Sequence, residues 1–530
     1  MSKSLTFVFT LLLAVSAFAQ TVLEGDITTT VNLTSNNTYL LRGFVRVQSG
    51  GILNIQAGTK IYGENSTQGS LVVKPGGKIY AEGTVSQPIV FTSEFTKPGA
   101  SRPPTYGDWG GVIILGNAPI NVPGGTTSIE GPGDSYGGNN PDDNSGVLRY
   151  VRIEYPGIAF SLNNEINGLT LGGVGRGTVL EYIQVSYSGD DSFEFFGGTV
   201  NAKYLIAFRG WDDDFDTDFG YTGKLQFLFG LRDPEIADQS GSNGFESDND
   251  GTGSTNQPLT SPEWWNVTLI GPISTTGQQI NSLYRRGMHL RRNSQNRIAN
   301  AVIVGWPTGI LLDSKGTING AANSTMYVKN SVIAQCNKLL DTASSNGTFN
   351  IANWFNTTMS GRTFSAAADL QMVNPFNLAS PNATLVSGSP LLTGGLTPPT
   401  DAFFDPTATF VGAFGSTDWT AGWANFNPSG ATSVKEDLLS GTPADFELSQ
   451  NYPNPFNPST KIRFALPEAG NVKLSVYDVL GRQVAELVNE FRAAGTYEVD
   501  WQADNLSSGV YVYRLESGTK NINRTMNLLK

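Results

Sequence analysis

Acidic residues spaced two apart make one stretch of this 530-residue chain a candidate metal site. Residues 246–251 read Glu-Ser-Asp-Asn-Asp-Gly, with acids at positions one, three and five and glycine at six, like the start of a calcium loop. Position one is not Asp and position twelve is Gln257, so EF-hand geometry is not expected. The alternative is a solvated edge of turn-forming residues. We predict a looser calcium site with these ligands: Asp216, Asp218, Glu246, Asp248 and Asp250.

A basic cluster follows these acids, although the chain carries a net charge of −12. Arginine forks bind carboxylate and sulfate groups bidentately, so the cluster is a candidate contact for an acidic polysaccharide. The alternative is that it only neutralises the acids beside it. The predicted ligand-binding residues are Arg285, Arg286, His289 and Arg291, with Arg292 and Arg297 nearby.

Four tryptophans fall in the same region, Trp211, Trp264, Trp265 and Trp306, of which the first three are predicted to bind a ligand. Exposed indole rings would form a platform on which sugars stack. The alternative is that they pack beneath loops.

Short strands must position these side chains, because apolar residues alternate with period two between Gly, Asn and Pro turns. Residues 182–185 and 204–207 align at an offset of 22, which also maps Asp190-Asp191 onto Asp212-Asp213. A repeat of this size suits one coil of a right-handed parallel β-helix, whereas a propeller needs about twice that period. The register predicts inward Phe193, Phe215, Phe245, Met288 and Ile310, followed by outward Glu194, Asp216, Glu246, His289 and Leu311.

Stacked in this way, carboxylates on adjacent coils repel one another. A cation, protonation or a bridging arginine must relieve that repulsion.

Composition limits the function classes. The acidic balance disfavours nucleic acid, which requires concentrated Lys and Arg. One cysteine excludes an internal disulfide, and one histidine excludes a His-rich metal site.

The first residues read as an export signal. Residues 1–19 have a positive start, a short apolar run and an A-x-A end, which predicts cleavage between Ala19 and Gln20. The run is too short for a permanent membrane span, and no transmembrane segment is expected in the mature chain.

The opening coils, residues 51–55 through 88–92, resemble pectate-lyase-like β-helix proteins. Residues 107–117, together with Gly412-Ala413-Phe414-Gly415 and residues 418–423, resemble uncharacterised surface proteins of the Bacteroidetes. The resemblance implies the fold and a surface habitat for residues 20–427, but no activity.

A different composition begins after residues 428–445, which are expected to form a linker. Asn451–Pro458 (NYPNPFNP), Tyr477–Arg482 (YDVLGR) and Leu506–Tyr511 (LSSGVY) are similar to the type IX secretion C-terminal sorting domain. That resemblance covers residues 446–530 and implies a small Ig-like β-sandwich. It also implies recognition by the type IX translocon, with a sorting protease as a further partner, and placement at the outer cell surface.

The leading hypothesis is therefore an exported, surface-displayed β-helix that binds glycans or is structural, stabilised by Ca²⁺. A purely architectural or adhesive protein is a second hypothesis. The third is an enzyme: calcium-dependent lyases on this fold pair a metal with a base, for which Lys224, Arg209 and Arg291 are candidates. Arginine is a poor base. An inverting glycosidase would instead use two of the carboxylates. Nothing in the sequence assigns catalytic residues.

Overall fold

The computed structural model describes residues 20–97, 99–161, 164–343, 348–428, 436–439, 445–467, 470–492, 495–503, 506–518 and 520–529. Of the predicted signal peptide and its cleavage site, only Gln20 lies within these residues.

Residues 20–364 form a right-handed parallel β-helix with three parallel sheets, as predicted. Each coil passes through sheet 1, sheet 2 and sheet 3 in that order, and pairs strand by strand with the next coil. Sheet 1 alone contains Thr30–Leu33, Ile52–Ile55, Lys78–Glu82 and Tyr327–Lys329. Sheet 2 alone contains Lys60–Gly63, Ile89–Ser93, Val332–Ala334 and Arg362–Phe364.

Several longer strands bend from one sheet into the next. Six run from sheet 1 into sheet 2: Gly146–Glu154, Val179–Ser186, Asn201–Phe208, Lys224–Leu231, Glu263–Ile270 and Arg297–Val304. Two run from sheet 2 into sheet 3: Gln20–Ile27 and Thr38–Val47. The remaining strands of sheet 3 are Ser70–Val73, Val112–Leu115, Leu169–Gly172, Phe193–Phe196, Phe215–Asp218, Asn243–Ser247, Arg286–Leu290, Thr308–Leu312 and Lys338–Thr342.

In each of the six strands that run from sheet 1 into sheet 2, the bend is made by one residue with a positive φ, a conformation that turns the strand without a loop. Tyr182 and Tyr204 adopt φ values of 54° and 58°, and their rings stack at 4.2 Å. Later coils use Asn266 and Asn300 at the same corner, with φ values of 54° and 57°. Asparagine tolerates this region of φ and ψ better than most other residues. The corner residue therefore changes from tyrosine to asparagine along the β-helix, while the bend is kept.

The interior of the coils is a continuous apolar column, to which each coil contributes residues that its neighbours cover. Insertions interrupt the repeat at its corners. One holds the helix Lys315–Ala322, which the sequence did not predict, and another holds Ile351–Asn353 and the π-helical turn Trp354–Thr358. Short 3₁₀ turns lie at Glu94–Thr96, Ala367–Leu370 and Pro390–Leu392. The minor strand pairs are Thr127–Ser128 with Ser135–Tyr136, Ala159–Ser161 with Asn164–Glu165, and Met372–Asn374 with Asn382–Leu385.

Residues 365–428, named here the strap, are not a further set of coils. They run back along the outside of sheet 2 and cover its apolar outer side chains. The Ala413 amide donates to Thr268 Oγ1 at 2.8 Å, and the Asn425 amide donates to Gln184 Oε1 at 2.8 Å. The strap therefore retraces several coils towards the amino-terminal end of the β-helix.

Two four-stranded antiparallel sheets form the C-terminal sandwich around one apolar core, as predicted. One contains Glu436–Leu439, Gly495–Gln502, Ser459–Leu466 and Glu447–Leu448; the other contains Gln483–Arg492, Gly470–Tyr477, Gly509–Ser517 and Lys520–Leu528. The expected linker, residues 428–445, is partly strand, because Glu436–Leu439 pairs with the strand Gly495–Gln502.

Candidate functional site

The outer surface of sheet 3 collects the acids and bases that the sequence singled out. Pairing aligns Phe193, Phe215 and Phe245 with Met288 and Ile310, and these inward side chains are at most 1% exposed. The predicted register is therefore confirmed. The residues that follow them form an outward row, named here the central row: Glu194, Asp216, Glu246, His289 and Leu311.

A second outward row, named the flanking row, lies two residues before the inward column: Asn167, Asp191, Asp213, Asn243 and Arg286. Its carboxylates tie adjacent coils together. Asp191 Oδ1 accepts the Asp213 amide at 2.7 Å, and Asp213 Oδ1 accepts the Asn243 amide. The flanking row brings further acids beside the central row.

Asp213, Asp216 and Glu246 form a carboxylate triad whose candidate ligand oxygens lie within 4.8 Å of one another. Asp216 Oδ1 is buried and has no hydrogen-bond partner in the described part of the chain. Asn243, 1% exposed, donates from Nδ2 to Asp213 Oδ1 and Glu246 Oε2, both at 3.1 Å, while its Oδ1 is buried and unpartnered among the described residues. The three converging carboxylates suit a hard divalent cation.

Only two of the five predicted metal ligands, Asp216 and Glu246, belong to this triad. Asp248 is instead held by Arg291 at 2.8 Å and by Arg292 at 2.7 Å. Asp250 closes its own loop by accepting hydrogen bonds from Thr252 and Ser254. Asp218 accepts the amide of the next residue at 2.6 Å. The calcium-loop reading of residues 246–251 is thus wrong in detail, because strand geometry sends alternate side chains to different partners.

The acids of these rows differ in how their surroundings shift their pKa values. Burial, and then the charges of Glu246 and Asp213, raise the pKa of Asp216 well above its usual range. Burial and the charge of Asp248 raise the pKa of Asp218 to about 7. Burial also acts on Glu246, but the hydrogen bond with His289 and the charge of Arg291 outweigh it and lower the pKa of Glu246. The pKa values of the neighbouring carboxylates Asp216 and Glu246 are therefore shifted in opposite directions.

The basic cluster divides into paired and unpaired members. His289 is 4% exposed and lies between Glu246 Oε2 at 3.1 Å and Asp313 Oδ2 at 3.4 Å. Arg291 also pairs with Glu246, and Arg285 donates to the Ser282 carbonyl at 2.8 Å. Arg286 has no hydrogen-bond or ion-pair partner among the described residues, although it stands one coil after Asn243 in the flanking row.

None of the three predicted lyase bases is available for proton abstraction. Lys224 lies on sheet 1, away from the acids, and pairs with Asp401. Arg209 pairs with Asp233, and Arg291 with Glu246. Burial lowers the pKa of both arginines, but the surrounding charged groups outweigh it and raise the pKa. Held as cations, they cannot act as bases.

The predicted tryptophan platform is wrong for two of its three members. Trp264 is 1% exposed, because it points into the coil and packs on Phe245 at 4.4 Å. Trp265 is 6% exposed beneath the strap, where it contacts Phe404 at 5.8 Å. Trp211, 42% exposed, remains the accessible ring, and it directly precedes Asp212.

Two further triads lie on the same surface: Asp190, Asp191 and Asp212, and Asp191, Glu194 and Asp216, each with ligand atoms within 4.8 Å. The site prediction omitted all of these except Asp216. The 22-residue offset aligns both acidic pairs and was the signal that could have found them.

Comparison with known proteins is consistent with this architecture. Residues 25–379 match the family model described as a pectate-lyase like beta helix domain. The chain belongs to this family. Residues 450–527 match the secretion system C-terminal sorting domain. This family member is accordingly exported by the type IX system, whose machinery it must contact, to the cell surface or the extracellular space.

No curated protein matches the chain. Among solved structures, the enzymatically active domain of tailspike protein 2 from bacteriophage CBA120 is 13% identical, with 92% of this chain and 72% of that chain covered, at a TM-score of 0.25. The full-length tailspike protein 2 of an Escherichia coli O157:H7 bacteriophage is 12% identical, with 92% and 64% covered, at a TM-score of 0.21. Within the described residues, no helix is long and apolar enough to cross a membrane.

Proposed function

We propose that this surface protein binds acidic polysaccharide on the outer face of sheet 3, with one Ca²⁺ held by Asp213, Asp216 and Glu246. The observation that carries the proposal is the triad with its two unpartnered buried oxygens, Asp216 Oδ1 and Asn243 Oδ1. Without a cation, these groups leave charge and hydrogen-bonding capacity unsatisfied, which is costly in a buried setting.

Arg286 supports a ligand with negative charge. It stands beside Asn243 on the next coil, about 4.8 Å along the sheet. Burial lowers the pKa of Arg286, and no carboxylate of the described chain pairs with it. A uronate carboxylate could bind Ca²⁺ and this guanidinium together. Trp211 would offer an exposed ring to the sugar on the same side of the β-helix.

Binding can be measured by affinity electrophoresis of residues 20–530 in gels containing polygalacturonate, with calcium or with chelator. Retardation should require calcium and should be lost in Arg286→Gln. Arg176→Gln is the matched control, because Arg176 forms an exposed ion pair with Asp142 away from this face. Equal retardation with chelator, or retention in Arg286→Gln, would refute the proposal.

A glycosidase is the second candidate, and one observation favours it. The pKa of Asp216 is raised while that of Glu246 in the same triad is lowered. Such a divergent pair can divide the roles of general acid and general base. Release of reducing ends from a polysaccharide, lost in both Asp216→Asn and Glu246→Gln, would establish it. A binding module releases none.

A further inference from the structure

Asp216 belongs to two carboxylate triads at once. The first is the calcium site proposed above, with Asp213 and Glu246. The second contains Asp191 and Glu194, again with ligand atoms within 4.8 Å of one another. Because a carboxylate has two oxygens, Asp216 can give one to each site. The two triads follow one another along the axis of the β-helix.

An independent observation at the second triad also points to a ligand. Asn167 is 1% exposed, and its Nδ2 donates to Glu194 and, at 2.8 Å, to Glu130 Oε1. Its Oδ1 is buried and has no hydrogen-bond partner in the described chain. Asn243 repeats this arrangement at the first triad, from the same flanking row. Each triad thus has its own asparagine with an unused amide oxygen, a ligand type that calcium accepts.

The second triad also lacks a counter-charge. Glu246 is paired with Arg291 and His289, whereas Asp191, Glu194 and Asp216 pair with no Lys, Arg or His among the described residues. Glu130, from the insertion before residue 146, adds another carboxylate next to Glu194.

The geometry points to a second calcium site formed by Asp191, Glu194 and Asp216, adjacent to the first and bridged to it by the Asp216 carboxylate. This inference rests on the proposed function for its first site. Turning over the side-chain amides of Asn167 and Asn243, whose Nδ2 atoms face the carboxylates, would present their unpartnered oxygens to the second and first ion, respectively. The pair of ions would cross-link three successive coils.

Stoichiometry tests the inference directly. Calcium is titrated into residues 20–530 by isothermal calorimetry after removal of bound metal. The natural chain should bind two ions, Glu194→Gln one, Glu246→Gln one, and Asp216→Asn none at concentrations that saturate the natural chain. Asp341→Asn is the matched control, since Asp341 lies in the central row beyond Leu311 and pairs with Lys338; it should bind two.

The outcomes separate the two proposals. A natural chain that binds a single ion, with that ion retained in Glu194→Gln, overturns the second site and leaves the first. No ion in the natural chain overturns both. Two ions, of which Asp216→Asn removes only one, would contradict the bridge.

A second measurement needs no variant and therefore does not depend on whether a variant folds. Mn²⁺, which also prefers oxygen ligands, is titrated into the natural chain and followed by electron paramagnetic resonance. Two ions that share a carboxylate should give a spectrum broadened by spin coupling at two equivalents. An uncoupled six-line spectrum that only grows in intensity would refute the adjacent pair.

Discussion

The two ends of the acidic face balance their charge differently. At one end, Glu246 and Asp248 are neutralised by Arg291 and Arg292 from the next coil. At the other end, Asp191 and Glu194 meet further carboxylates and asparagines, with no basic partner among the described residues. The coils are built alike, so the difference lies only in which residues occupy the outward rows.

At one end, the chain's own arginines neutralise the carboxylates. At the other end, only protons or ions from solution can do so. The ion pairs of Asp248 with Arg291 and Arg292 should be insensitive to calcium, while the Asp191 end should depend on it. Each prediction below changes one end and compares the response with the other.

The largest effect is expected from removing the internal counter-charge. Arg291→Met leaves two largely buried carboxylates facing each other, and should lower the free energy of unfolding by about 3 kcal/mol. Thermal melting in chelator measures it. Arg176→Met, which breaks an exposed pair, should cost less than about 1 kcal/mol. If the two variants melt alike, the paired end is not held by its charges.

A substitution at the Asp191 end should raise, rather than lower, the free energy of unfolding. Asp216→Asn removes one of several repelling carboxylates, so the calcium-free protein should gain roughly 2 kcal/mol of stability. The same variant should lose the stabilisation that calcium gives the natural chain. Melting with and without calcium tests both parts. A calcium-free Asp216→Asn protein less stable than the natural chain would contradict the view that this end is under repulsion.

The pH dependence of the protein's stability without calcium follows from the raised pKa values of two acids. The pKa of Asp218 is raised to about 7 and that of Asp212 to about 6, so the folded protein holds protons that the unfolded chain releases near pH 4. Stability in chelator should therefore be complete below about pH 4 and fall as the pH rises through about 7. Melting temperatures from about pH 5 to about pH 8 measure the slope. Asp218→Asn should flatten it, and an unchanged slope would count against this assignment.

Asp250 gives the smallest effect, with the reverse pH dependence. Burial would raise its pKa, but hydrogen bonds from Ser254 and Thr252 outweigh this and lower the pKa to about 2. Its contribution is present above about pH 4 and is lost as the pH falls through about 2. Asp250→Ala should cost about 1 kcal/mol near neutral pH without changing calcium stoichiometry. Loss of a bound ion in this variant would restore Asp250 as a ligand.

The sequence predicted the coils because their period is local. An inward column with an offset of 22 is visible in residues 193 and 215, and the pairing confirms it. It predicted the partners of the outward acids less well. Alternation places Asp216 and Asp248 on one surface, but the reach of Arg291 decides which acid is neutralised. That choice depends on side-chain rotamers across coils, which carry no signal in one sequence.

The prediction that Trp264 and Trp265 are exposed failed for a different reason. Trp264 occupies an inward position of sheet 1, which the aligned register of sheet 3 did not reveal. Trp265 points outward, yet the strap covers it through contacts made about 140 residues later in the chain, as the Phe404 pair shows. A period of 22 contains no information about such a return path.

The strap also determines which part of the β-helix domain would respond first to a mechanical force applied to the C-terminal sorting domain. Near its end, the strap contacts sheet 2 through the hydrogen bond from Asn425 to Gln184 and through Phe426, which packs on Phe208 at 5.1 Å. Tension applied beyond residue 428 would reach these contacts first and peel the strap from sheet 2, ring by ring, before any coil is unwound. Under force applied to the sorting domain, the strap would then detach before the coils that carry the acidic face unfold.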